Sequence, residues 1–157
     1  MSIPTQSTRP SAGGARIVGA SGESSGGPGP YVMAASTLEG DRVYSSDNEE
    51  IGKIKEIMLD VQQGRIVYAV MSSGGFLGIG DKLLALPWVA LALDAQRKCF
   101  VLNVTGERVK NAPGFDKDHW PAMADIGWAT TLHEYYGVRT QWQNDPAEPP
   151  EAGGVKL

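Results

Sequence analysis

The chain has 157 residues, enough for one domain of ordinary size. Its 41% hydrophobic and 20% charged content is that of a soluble globular protein, while 20 Gly and 10 Pro imply additional segments that do not pack. A net charge of −4 supplies no long-range attraction for nucleic-acid phosphates or anionic lipid, and no apolar run reaches the roughly 18 residues of a membrane span. Nucleic acid is therefore disfavoured as a partner, membrane insertion is not expected, and without a secretory pattern at the start a cytoplasmic location is expected.

Residues 1–30 contain 7 Gly, 6 Ser and 4 Pro, with Ile3, Ile17 and Val18 as the aliphatic residues after Met1. So little apolar burial cannot offset the entropy of ordering the segment, which is expected to be a disordered tail. The folded domain is expected over 31–142. Residues 143–157, with Pro146, Pro149, Pro150, Gly153 and Gly154, read as a second disordered tail.

Within the domain, Arg42 to Ser45 reads as a short strand, followed by turn chemistry in Ser46-Asp47-Asn48-Glu49. Ile51 to Val61 is a longer strand whose apolar residues change phase, which predicts a bulge near Lys55-Glu56. Gly64 occupies a left-handed turn position before the strand Arg65 to Ser72. That strand is apolar at both parities, so both faces must be covered. One side is a barrel interior, and the other requires a helix from the same chain or a second copy. Asp81 to Leu86 is the next strand, ended by Pro87-Trp88. Val89 to Leu93 and Lys98 to Val104 form the last pair across Asp94-Ala95-Gln96-Arg97.

The short connections predict a mainly β fold, a small antiparallel barrel. Helices are expected only afterwards, in an extension over about 105–137. Thr105 caps a turn from Gly106 to Asn111, and Asp125 caps a helix running to Tyr136 with Gly137 just beyond. Trp128, Leu132, Tyr135 and Tyr136 make the stripe that would cover the barrel exterior.

The run Gly74-Gly75-Phe76-Leu77-Gly78-Ile79-Gly80-Asp81-Lys82 imitates a phosphate loop, but a strand and not a helix N-terminus follows it, and Asp81 adds a like charge. Its apolar residues Phe76, Leu77 and Ile79 must either tuck over the barrel end or dock against a partner. Asp116, Asp118, His119 and the more distant His133 could be imagined as metal ligands. Two His without accompanying Cys, 14 residues apart, do not make a zinc spacing, and the reading adopted is that Asp118 caps a turn while His119 and Trp120 pack on the barrel. No nucleophile or oxyanion donor is nominated, so no catalytic site, metal or cofactor is expected. Cys99, alone, reads as a small buried hydrophobe in a reducing compartment. Lys53, Lys55, Arg65 and Lys82 alternate with Glu56, Asp60 and Asp81 and read as a solvated mixed-charge surface.

Three segments together resemble the PRC-barrel family in its bacterial form with a helical tail. They are IGKIKEIMLDVQQGRIVYAVMSSGGFLGIGDKLLALPW at 51–88, FVLNVTGERVKNAPGFDKDHWP at 100–121, and Trp128 to Gly137 with its Tyr135-Tyr136-Gly137 ending. The resemblance implies the barrel found in the H subunit of photosynthetic reaction centres and in ribosome maturation factors, contexts that share assembly with other proteins, and it implies no enzyme activity. The expected function is a non-enzymatic protein interaction module that forms a homodimer, with Ile66, Tyr68, Val70, Phe76, Leu77 and Ile79 as partner-binding residues. The alternatives are a small-ligand or metal-responsive sensor using Asp116, Asp118, His119 and His133, or, from the resemblance alone, a factor linked to ribosome assembly.

Overall fold

A computed structural model describes residues 14–19, 32–73 and 82–139. In chain order the strands are β1 (Arg16–Val18), β2 (Arg42–Tyr44), β3 (Glu50–Asp60), β4 (Arg65–Ser72), β5 (Leu83–Pro87), β6 (Leu91–Asp94) and β7 (Cys99–Leu102). The helices are α1 (Ala35–Leu38), α2 (Gly106–Lys110) and α3 (Ile126–Tyr135), with a 3₁₀ turn at Trp88–Ala90. All seven strands join one sheet in the order β1-β6-β7-β2-β3-β4-β5. The fold is mainly β, as expected.

Three features differ from expectation. First, the sheet is mixed: β2 runs parallel to β7 and β1 parallel to β6, while the remaining pairs are antiparallel. Hairpin turns dictate antiparallel pairing only between neighbours in sequence, and β2 and β7 meet from opposite ends of the domain. Second, Arg16–Val18, inside the segment expected to be disordered, is a strand. Ile17 packs against the core and the Ala95 amide donates to the Val18 carbonyl at 2.9 Å. Third, α1 precedes β2, where no helix was expected. Its Leu38 is buried in the core.

The hairpin β3–β4 follows its sequence closely. Ile54 lies opposite Met71 and Glu56 opposite Val70, so Lys55 is the extra residue of a bulge at the expected place. A second irregularity falls between Met58 and Leu59, opposite Tyr68 and Ile66. Gly64 in the connecting turn takes φ +70°. On β3, Gly52 is a site of close approach. A methyl group there would overlap the Ser72 carbonyl oxygen and lie 2.8 Å from Met71 Cγ.

The core gathers Val43, Ile51, Ile54, Met71, Leu84, Leu86, Phe100 and Leu102. Period-2 alternation turns these side chains inward except at Ile51, the extra residue of a bulge in the β2–β3 pairing. At the β5 edge, Leu83 and Phe115 exchange amide-to-carbonyl hydrogen bonds of 2.8 and 2.9 Å. Some of the edge groups that β5 would otherwise expose are thereby paired.

Candidate interaction surface

On the β4 face that carries Tyr68 and Val70, this chain supplies its own cover, while the register shift at Val67 puts Ile66, opposite Leu59, on the other face. Trp128 and His133 of α3 meet the Tyr68 ring edge-on, with centroids 5.4 Å and 5.7 Å away. Burial pushes the Tyr68 hydroxyl up to about 12. His133 is buried as well and its Nδ1–H donates to the Ala129 carbonyl at 2.8 Å, which assigns the ring proton to Nδ1. Desolvation holds its pKa below the ordinary 6.5, partly offset by that hydrogen bond.

Local chemistry places α3. The Asp125 carboxylate accepts from the Trp128 amide at 3.0 Å, the expected N-cap. At the other end Val138 N–H donates to His133 O and Gly137 N–H to Glu134 O, a Schellman ending with Gly137 at φ +70°. α2 then latches onto this terminus. Arg108 donates to the Tyr135 carbonyl through Nη2 at 2.9 Å and stacks 4.1 Å from the Tyr135 ring, while the Tyr135 hydroxyl donates to the Arg108 carbonyl at 2.8 Å. Asn103 donates to the Tyr136 carbonyl at 3.1 Å. Carbonyls that a helix end leaves unpaired are thus satisfied by side chains from the barrel side.

The residues expected to face a partner divide accordingly. Tyr68 is 2% exposed and Val70 is 0% exposed, so both are taken up inside the fold; Ile66 is half-buried. Phe76, Leu77 and Ile79 lie outside the described residues. The exposed apolar surface of this hairpin is elsewhere. Leu59 is 59% exposed, Val61 is 85% exposed, and Leu59 sits directly opposite Ile66 in the β3–β4 ladder. Sequence reasoning passed over Leu59 and Val61, yet a signal was present. Three consecutive apolar residues, Ile57-Met58-Leu59, cannot all point to one side of a strand.

A family model for the PRC-barrel domain matches residues 31–109, half of the chain. The chain belongs to the PRC-barrel family. The matched residues span α1, β2 to β7 and nearly all of α2, while β1 and α3 lie outside them. In this PRC-barrel protein the helix that covers Tyr68 is therefore contributed by the segment that follows the match. No curated protein matches the chain.

Elsewhere on the PRC-barrel protein, the 116–119 turn differs from expectation. Asp116, not Asp118, is the cap. Its Oδ1 accepts from the Asp118 amide at 3.0 Å and from His119 Nδ1 at 2.8 Å, and the His119 hydrogen bond holds the carboxyl below its usual range. The His119 side chain is 82% exposed and does not pack on the barrel. A side chain held by a charge-assisted bond within its own turn gains nothing from leaving water. Trp120 donates its indole N–H to the Lys117 carbonyl and sets its ring 5.0 Å from Phe115. Among the described residues no group of three or more His, Cys, Asp or Glu side chains is placed to hold a metal ion. None of the described helices is long and apolar enough to cross a membrane.

Proposed function

We propose that this PRC-barrel protein is a non-enzymatic interaction module that self-associates, with the end of the β3–β4 hairpin as the contact. One observation carries the reading: Leu59 and Val61 stand in solvent beside the half-buried Ile66. Apolar area exposed to water costs roughly 25 cal/mol per Å², and a second copy offers the same side chains in return across a two-fold axis. The homodimer follows as the simplest closed assembly.

Multi-angle light scattering over a concentration series tests it. The unaltered protein should give twice the monomer mass, and the double variant Leu59→Asp, Val61→Asp should give the monomer mass with an unchanged far-ultraviolet circular dichroism spectrum. A monomer at every concentration of the unaltered protein would refute the proposal.

A further inference from the structure

Three strands and one turn bring four cations to a single recess on the side of the sheet away from the core. Arg42 on β2 is the register partner of Lys53 on β3 and of Cys99 on β7, so these three positions share one face. Arg97 and Lys98, in the turn entering β7, stand beside Cys99. With Gly40, Asp41 and Tyr44 they line a recess of about 280 Å³. The chain has 14 Lys and Arg against 18 Asp and Glu, yet this lining holds four cationic side chains and one carboxylate, Asp41.

The four cations are only partly neutralised where they stand. Lys53 and Lys98 make no ion pair among the described residues. Arg42 reaches Glu50 at 3.6 Å and Arg97 reaches Asp94 at 3.9 Å, both long contacts between partly exposed groups. Arg97 is positioned by its neighbours, 4.9 Å over the Tyr44 ring and 3.5 Å from Asn48 Oδ1. Lys98 adopts φ +56°, a left-handed backbone that Gly or Asn adopts at lower cost. Turn geometry alone would not select lysine at that position. Asp41 is offset locally: burial pushes its carboxyl up from the ordinary 3.8 while Lys98 pulls it down.

We propose that this recess binds the phosphoryl group of a small phosphorylated molecule. With Glu50 and Asp94 counted beside Asp41 the recess keeps one net positive charge, and two ammonium groups without an ion pair beside two loosely paired guanidinium groups suit an oxyanion with several acceptor oxygens. Guanidinium groups offer paired N–H donors to phosphate oxygens, and ammonium groups add point charge. At about 30 Å³ per water the recess holds roughly nine waters, room for a phosphate and a small organic body. The site does not depend on self-association, because none of its lining residues lies at the hairpin end.

Titration of the ¹⁵N-labelled full chain with inorganic phosphate, pyrophosphate and phenyl phosphate tests it. Saturable amide shifts are expected at 40–44, 53 and 97–99, with a Kd below about 1 mM for at least one probe. Lys53→Gln and Lys98→Gly should each weaken binding about tenfold or more, which is one factor of 1.4 kcal/mol. Lys98→Gly keeps the turn, since glycine accepts its backbone, so its unfolding temperature should not fall. Shifts that stay linear to about 20 mM, or that saturate in both variants as they do in the unaltered protein, would overturn the proposal. So would saturable binding of an RNA oligomer or a polyglutamate peptide that phosphate does not displace.

Discussion

Tyr136 is 1% exposed, and its hydroxyl has no hydrogen-bond partner among the described residues. Desolvation, reinforced by Tyr135, drives its pKa well above the usual 10. A buried unsatisfied hydroxyl costs about 1–3 kcal/mol, so Tyr136→Phe should stabilise the protein by about 1 kcal/mol and raise Tm by several degrees in a thermal melt. His133 sets a different test. Its folded pKa lies below the unfolded value of 6.5, so the unfolded chain takes up the proton first as pH falls. Stability contributed by the neutral ring is complete above about 6.5 and is lost progressively as pH drops from there towards the lower folded value. Thermal melts between pH 8 and 5 should show this decline, and His133→Gln should flatten it. Asp47 behaves separately. Ser45 and the Gly106 amide hydrogen-bond to its carboxylate and hold its pKa below 3.8, so any loss from it comes only in stronger acid.

At the scale of the element, α3 separates what is local from what is not. Its N-cap Asp125 and its stop at Gly137 could be named from the sequence, because a cap needs only residues three or four positions away. Ten residues do not hold a helix in water unaided, however, and the stabilising contacts are tertiary. They are Trp128 against Tyr68, and Arg108 of α2 on the Tyr135 carbonyl. Trp128→Ala should therefore cost about 2–3 kcal/mol and Asp125→Ala about 1 kcal/mol, an order readable from urea midpoints. The stripe of Trp128, Leu132, Tyr135 and Tyr136 was legible from spacing alone. Burial of Ala129 and His133 beside it was not, since a small residue and a histidine carry no apolar signal.

For the whole molecule, the hairpin β3–β4 was legible to its bulge at Lys55, while the parallel join of β2 to β7 was not. A hairpin is written in consecutive residues, whereas β2 and β7 meet only after the strands between them have folded back. This difference also moves the proposed interface. With α3 over Tyr68, the outer face of β4 no longer needs a partner, and the exposed apolar side chains of the hairpin are Leu59 and Val61. If those residues hold two copies together, the unfolding temperature should rise with protein concentration by mass action. The rise should vanish in the double variant Leu59→Asp, Val61→Asp, a comparison open to differential scanning calorimetry.

The sequence by itself determined the β-rich class, the turns at Asn48 and Gly64, both helix caps and the family resemblance, because each rests on short-range periodicity or on backbone chemistry within a few residues. Tertiary structure alone decided which face of β4 is sealed, that Arg16–Val18 pairs with β6, and that Arg42, Lys53, Arg97 and Lys98 share one recess. Read along the chain, the surface charges are a solvated mixture. Cross-strand register places Arg42 between Lys53 and Cys99, and no local rule carries that information over the more than forty residues between Lys53 and Arg97.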